Sequence, residues 1–524
     1  MGAIASVERP QPFADSQAGC DEIMAFAASP EASEMTESEL ERELEKRARE
    51  LTRRLLQGHL DSRQGGAAAA PVRDAEGQER AGVREHERTL MTTFGPVEVS
   101  RFGYGGEGLE SLHPLDGALN LPPDRYSLEL RRRVAREAER GSFEEAVEAL
   151  RETTGVEIGK RQAEQLAQRA AADFDDYYAA RQASASRKPA EEPAEEPILV
   201  LSVDGKGIVM RREDLRPATR RVAESRQHKL STRLSKGEKR GAKRMATVAT
   251  VYGIERYVRS PEEIFPPPGP RPAPLATRPR PVCKRVWASI EGEMSEVVDE
   301  MFREAASRDP HRTREWVALV DGNQQQLRLL RCKAKELGVR WAAIVVDVIH
   351  VLEYVWKAGL ALEGEGTAAC EQWVLERMQR ILAGEASLVA AGMRRSATFR
   401  TFEPKERAAV DDCADYLLSY KRHLRYDEYL ARGYPIATGV VEGACRHLVN
   451  LRMNRSGARW SLTGAEAVLR LRALVKSGDF DDYWSFHEAQ ERQRNHLAKY
   501  ADQRLPILHV PARRRRGTHL RLVE

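Results

Sequence analysis

No apolar run in this chain approaches the roughly 20 residues that a helix needs to span a bilayer, so no membrane-spanning segment is expected. Aromatic residues are scarce at 6%, while charged residues reach 31%; this is the balance of a soluble protein with a polar surface. Cysteine is sparse too. Cys20, Cys283, Cys332, Cys370, Cys413 and Cys445 are scattered and form no CxxC pair, which predicts ordinary thiols in a reducing cytoplasm. The opening stretch MGAIASVERPQPFADSQAGCDE has no basic region followed by an apolar one, so no secretory signal is expected.

What is present is length and an uneven charge. A chain of 524 residues is too long for one compact core and predicts three or so domains. The net charge is only +4, yet Arg211 to Arg244 holds 13 Lys/Arg against 4 Asp/Glu, which leaves about −5 for the remainder. Such a block either solvates a loop or meets a polyanion. A second basic cluster, Arg513 to Arg516, lies in a region (489–524) expected to be a basic C-terminal tail.

Residues 1–35 show no periodicity and predict disorder. A helix is expected from Thr36 or Ser38, because Thr36 with Glu39 and Ser38 with Glu41 both fit a capping box. Leu40, Leu44, Leu51 and Leu55 fall on one face of it, for oligomerisation or for docking on its own chain, and Gly65–Ala70 reads as a small-residue linker that closes this segment (36–70). The next segment, 71–182, predicts a hairpin at 88–104 around Gly95-Pro96. Three helices follow: Ser127–Arg140, Ser142 to about Glu152, and Gly159 to Tyr177. Short helices with tight turns are compatible with a helix-turn-helix. Its third helix would offer Lys160, Arg161, Gln162 and Gln165 to the major groove of duplex DNA; helical trios also occur in proteins that never touch DNA.

The Pro/Glu-rich stretch 183–197 reads as a linker. Beyond it, Ile198–Val203 is an apolar run that ends in Asp204-Gly205, and Met245–Tyr252 and Cys283–Ile290 are further strand candidates. Between those two lies Pro261–Val282, a loop with 9 prolines in 22 residues. A helix over Glu293–Ser307, a strand over Trp316–Val320 ending in Asp321-Gly322, a helix over Gln324–Leu337 and a strand over Trp341–Val346 ending in Asp347 complete the pattern, and helices continue to about residue 485. The predicted class is α/β, with a ribonuclease-H-like core of mixed sheet in β-β-β-α-β-α-β-α order. The core would occupy 198–350 and 432–488, interrupted by an all-helical insertion at 351–431, behind a mainly helical N-terminal DNA-binding region.

Strand ends are where ligand sites form in α/β sheets. In this topology Asp204 and Asp321 stand side by side, and two close carboxylates repel unless a cation lies between them. Mg²⁺ (or Mn²⁺) suits such oxygen ligands, and a pair of these ions can serve both oxygens of a phosphoryl transfer. An Asp-Gly is by itself only a turn signal; two that end apolar strands in the right order favour the metal. The third acid is Glu442, which shares an i, i+4 row with Arg446, Asn450 and Asn454. This row suits a phosphate-holding cleft or, more simply, a surface ion pair. Arg446 and Arg452 from this segment are expected at DNA, as are Arg233, Lys236, Lys239, Arg240, Lys243 and Arg244 from the basic block.

The stretches SVDGKG, KRMATVATVYG, LVDGNQQQ, VVDVIHVLEYVW and TGVVEGACRHLVNLRMNRSGARWS resemble, in order, the transposases of ISKra-type bacterial insertion sequences, relatives of the Mutator-like superfamily. The resemblance spans roughly 198–487 and extends weakly upstream through TTFGPVEVSRFGY and LHPLDGALNLPP. It implies a DDE transposase with catalytic, metal-binding Asp204, Asp321 and Glu442, acting on terminal inverted repeats and target DNA as a homo-oligomer in the bacterial nucleoid. The family's (C/D)xxH signature falls on Asp347 and His350, near the active site or as a helix cap with a satisfied histidine. Many relatives carry a Cys-rich N-terminal region; with Cys20 alone ahead of residue 283, none is expected here. A ribonuclease-H-like nuclease or resolvase, or a catalytically silent DNA-binding derivative, would share much of this pattern.

Overall fold

The computed structural model describes residues 11–185, 196–225, 230, 235, 241–266, 277–400, 402, 404–455 and 457–509. The chain divides into two compact units, Met1–Asp173 with Asp481–Glu524, and Phe174–Phe480. This differs from the sequence reading at both junctions. The first unit ends ahead of the 183–197 stretch, and the region expected to be a free tail is packed into that unit as far as it is described. Ala68 bridges Leu508 and Asp74 bridges Tyr500 in antiparallel fashion.

In the first unit, α1 (Ala14–Ala27) occupies sequence expected to be disordered. Its small residues let it lie close to α2 (Glu37–Ser62); Phe26 is buried beneath the Arg47 guanidinium, 3.8 Å from the ring centre. Thr36 and Glu39 form the expected capping box at the start of α2. The hairpin is present as β1 (Gly82–Thr92) and β2 (Gly95–Gly106), joined by Thr93-Phe94 and extended by β3 (Leu109–Leu112). Leu60, Leu90, Val97, Val99 and Leu115 form its core. Gly65 and Gly66 are no loose linker: both take positive φ, and each is packed on a side chain, Phe102 and Leu115 respectively.

Next come α3 (Leu128–Arg140), α4 (Phe143–Thr154) and α5 (Lys160–Ala170), with Ser127 and Ser142 capping the first two through their side-chain oxygens. Leu130, Val134, Leu150, Ile158, Ala163 and Leu166 close their shared core. The third helix stops at Ala170, short of the expected Tyr177. Asp173 lies in the break, where its carboxylate accepts from His487 at 2.6 Å and from both Arg494 nitrogens at 2.7 Å.

In the second unit, α6 (Phe174–Ala185) precedes a five-stranded sheet. Its strands are β4 (Ile198–Val209), β5 (Lys243–Ile254), β6 (Val282–Ser289), β7 (Glu315–Val320) and β8 (Ala343–Val346). The spatial order is β6-β5-β4-β7-β8. The first three run as an antiparallel meander, and β4, β7 and β8 are mutually parallel. Ile198–Val203 is buried at every position, as expected for a sheet covered on both faces. Helix α7 (Met294–Arg308) links β6 to β7, and α8 (Gln324–Glu336) links β7 to β8.

Five helices follow: α9 (Val348–Glu363), α10 (Ala368–Leu382), α11 (Ala386–Phe399), α12 (Pro404–Tyr420) and α13 (Tyr426–Ala431). The chain then forms α14 (Gly439–Ala444), a π-helical turn at Cys445–Asn450 and α15 (Leu462–Ser477). No described helix is long and apolar enough to cross a membrane.

Candidate active site at the strand ends

β4 does not stop at Asp204. It runs on to Val209, paired with β5, while its parallel register with β7 ends at Ser202–Leu319. Asp204 thus lies inside a strand but beyond the end of its parallel neighbour, level with the Asp321 that follows β7. Asp347 follows β8, and its N–H donates to the Val320 carbonyl at 2.8 Å. Three parallel strands therefore each deliver an aspartate at the same end.

Their charges act on one another. Burial raises the Asp321 carboxyl above its ordinary range, and the negative charge of Asp204 raises it further against a donated Asn323 N–H. The amide of Gln326, 1% exposed, reaches both strands when its nitrogen faces them, at 3.2 Å from the Val203 carbonyl and 3.0 Å from Asp321 Oδ1. Asp204 Oδ1 accepts from the Gly205 N–H at 2.6 Å, and Oδ2 accepts from Cys445 Sγ at 3.1 Å. Burial pushes the Cys445 thiol well up, and Asp204 adds to this; the sulfur stays protonated and serves as a donor.

Asp347 is fully buried. It caps α9 through the Ile349 N–H at 3.0 Å and accepts from His350 Nδ1 at 3.3 Å. Burial acts to raise its pKa, but the bonds from His350, Thr438 and Ile349 outweigh it and hold the carboxyl low. The bond to Asp347 in turn raises His350. Asp347, His350 and Glu442 each offer one ligand atom, and the three atoms lie within 4.8 Å of one another. Glu442 is thus brought next to Asp347 and His350. Its tie to Asp204 runs through Cys445, one turn along the same segment.

Thr438 is the residue that sequence reasoning missed. It is 3% exposed, and its Oγ1 lies 2.5 Å from Asp347 Oδ2 and 3.1 Å from Glu442 Oε1. A hydroxyl has one proton to donate, so one of these two contacts sets oxygen lone pairs against each other. A cation at the carboxylates would relieve that; the carboxylate oxygens suit a hard divalent ion such as Mg²⁺ or Mn²⁺, whereas an imidazole suits softer transition metals, and among the described residues the three-residue group close enough to share one ion is Asp347, His350 and Glu442, without Asp204 or Asp321. The i, i+4 spacing of Thr438 to Glu442 was the available signal.

The expected straight row Glu442–Arg446–Asn450–Asn454 is broken by the π-turn, whose wider period shifts the second half of the row. Asn450 and Asn454 still pair at 3.0 Å. Arg472, buried on α15, donates to the carbonyls of His447 and Leu448, at 3.0 Å from its Nε in each case. These are carbonyls inside the π-turn, so Arg472 holds an irregularity that local propensity does not favour.

The residues expected from the sequence to contact DNA separate into three groups. Lys160, Arg161, Gln162 and Gln165 are exposed on α5, with Lys160 paired to Glu144 at 2.7 Å; Lys243 and Arg446 are exposed as well. Arg452 is a correction: it is 3% exposed and lies on the Trp460 ring at 4.7 Å, so it is not presented to DNA. Arg244 is likewise engaged internally, donating to the carbonyls of Ile290, Glu291 and Asp214 at 2.8, 3.1 and 3.3 Å. Arg233, Lys236, Lys239 and Arg240 lie outside the described residues.

No protein-family profile and no curated protein matches the chain. Among solved structures, it is similar to the Drosophila P element transposase strand transfer complex at 8% identity, covering 73% of this chain and 84% of that one with a TM-score of 0.23. An overlap that loose bears on neither the fold nor the chemistry.

Proposed function

We propose that the chain is a DDE-type DNA transposase with a ribonuclease-H-like core, in which Asp204, Asp321 and Glu442 bind divalent metal and Asp347 with His350 shapes their surroundings. The observation that carries this reading is that Asp204, Asp321 and Asp347 lie at one end of three parallel strands, with His350 and Glu442 beside Asp347. An antiparallel meander followed by two parallel strands, in the order β6-β5-β4-β7-β8, supports the core assignment. The motifs shared with ISKra-type transposases support the step from nuclease to transposase.

Bound Mg²⁺ would supply Lewis-acid polarisation of a phosphodiester and an activated oxygen nucleophile. The chain's own residues do the positioning. Gly205 N–H and Cys445 Sγ fix the two oxygens of Asp204, and Gln326 and Asn323 orient Asp321. Thr438 sets Glu442 against the buried Asp347, and His350 holds its Nδ1 toward that same carboxylate. The reaction is hydrolysis of a strand at the element's end, followed by attack of the freed 3′-hydroxyl on a target strand. The basic block and the exposed face of α5 would hold the DNA, mostly through phosphates in the first case and base edges in the second.

The test is to incubate the full chain with labelled duplex from the ends of its own element, a target plasmid and Mg²⁺. The expected product is end DNA covalently joined to plasmid. Cleavage without joining would transfer the reading to a nuclease or resolvase. Tight end binding with neither cleavage nor joining would make the chain a silent derivative.

A further inference from the structure

The helices inserted between Asp347 and Glu442 grip the strand ends. Tyr416, near the end of α12, donates its hydroxyl to the Asp321 carbonyl at 3.2 Å. Tyr420, one turn later, donates to the Gly322 carbonyl and accepts from Gln324 Nε2 at 2.6 Å. The His423 ring meets the Ile344 carbonyl at 2.9 Å, and the buried Tyr426 donates to the Val346 carbonyl at 2.7 Å. Within the eleven residues from Tyr416 to Tyr426, four side chains thus meet carbonyls: Asp321 and Gly322 just after β7, and Ile344 and Val346 in β8 ahead of Asp347. The tyrosines support one another: Tyr354 stacks on Tyr416 at 4.1 Å with planes 15° apart, and Tyr420 packs against Tyr416 at 4.7 Å.

A second observation points the same way. Gly322 has φ of 95°, and a Cβ there would stand 2.8 Å from the Tyr416 hydroxyl. The turn that carries Asp321 therefore has its conformation and its close approach to α12 fixed together, which only glycine allows.

We propose that Tyr416 and Tyr420 are positioning residues that set the geometry of Asp321 for metal, so that the helical insertion is part of the metal site. This rests on the metal-site reading above. Neither tyrosine is placed as a ligand; each acts on the backbone that carries one. Groups that orient metal ligands commonly change metal affinity by about 10–100-fold when lost.

The experiment is Mn²⁺ binding to the full chain, followed by electron paramagnetic resonance, for the wild type, Tyr416→Phe, Tyr420→Phe and Asp321→Asn, with melting measured in parallel. Both phenylalanine variants should bind Mn²⁺ about 10-fold more weakly at a nearly unchanged melting temperature. Their DNA cleavage should recover as Mg²⁺ is raised, which a general loss of structure would not allow. Asp321→Asn should lose Mn²⁺ and not recover. Wild-type Mn²⁺ affinity in both tyrosine variants, with Asp321→Asn defective, would overturn the positioning role and leave the metal site standing. No Mn²⁺ binding by the wild type, or full binding by Asp321→Asn, would overturn both. Should Tyr420→Phe fail to fold, Tyr416→Phe, at the less buried of the two positions, decides alone.

Discussion

The helical trio of the first unit and the strand-end cluster of the second both concentrate polar side chains, and they hold them in opposite ways. On α5, Lys160, Arg161, Gln162 and Gln165 stand exposed over a floor of Ala163, Leu166 and Ala167. The floor makes the helix stable and leaves Arg161, Gln162 and Gln165 turned to solvent, with Lys160 paired to Glu144. At the strand ends the polar groups face one another. Asp347 is buried, Asp204 and Asp321 repel, and Thr438 contacts two carboxylates with one proton. Side chains of the first kind can change without cost to the fold, whereas in the second the Asp204–Asp321 pair is held together at the expense of stability.

The largest effect that sharpens this contrast is catalytic. Asp204→Asn, Asp321→Asn and Glu442→Gln should each lower Mg²⁺-dependent strand cleavage by at least about 10²–10³-fold, the scale of losing a preorganised electrostatic contact. End binding in a gel-shift assay should change little. Because the Asp321 carboxyl is raised in the folded state, neutralising it removes a cost, so Asp321→Asn should melt no lower than the wild type in EDTA. A clear fall in its melting temperature would show that the aspartate stabilises the fold instead.

Next in size is Arg472→Met. It removes the guanidinium that donates to the His447 and Leu448 carbonyls and should cost about 2–4 kcal/mol in urea unfolding, in line with losing buried charged hydrogen bonds. A loss below about 0.5 kcal/mol would mean that the π-turn holds itself.

Smaller changes are expected on α5. Arg161→Ala and Gln162→Ala should weaken end-DNA binding by about 1–3 kcal/mol each and relax sequence preference, with stability changed by no more than about 0.5 kcal/mol. Equal weakening on end and scrambled duplexes would reduce these residues to backbone contacts.

The smallest effect concerns pH and the first unit. His113 sits 2.8 Å from His86, and burial, with Arg101, His86, Lys499 and Arg88 around it, lowers its pKa from 6.5 to about 4. A histidine whose folded pKa is depressed favours folding when neutral. Its contribution is therefore full above about 6.5 and is lost as pH falls toward about 4. Replacing it with Gln should flatten the melting temperature between those values by a few degrees relative to the wild type. Identical pH profiles for the two proteins would remove His113 from the account.

The same contrast explains what could be read from the sequence. Features fixed locally were legible: the helix starts at Ser127 and Ser142, Thr36 with Glu39, and the apolar runs leading to Asp204, Asp321 and Asp347. Features fixed by distant partners were not. Carbonyls of the π-turn accept from Arg472, more than 20 residues away. Arg452 reads as a surface cation until Trp460 covers it, and the grip of Tyr416 and Tyr420 crosses about 95 residues of chain. The break after Ala170 has no Gly or Pro to announce it. The one local sign was Asp175-Asp176, suited to the first turn of a new helix. Disorder was expected at 14–27 because residues 1–35 show no periodicity, yet α1 forms there, with the small residues Ser16 and Gly19 on its buried side.

The central claim is that the strand-end acids act together on DNA through a divalent ion. Its most direct test is the rate at which the Asp321→Asn protein cuts end duplex in Mg²⁺, measured beside the wild type and a wild-type sample in EDTA. The account predicts wild-type cleavage that leaves a 3′-hydroxyl and residual rates indistinguishable between Asp321→Asn and EDTA. Cleavage by Asp321→Asn at the wild-type rate would contradict it.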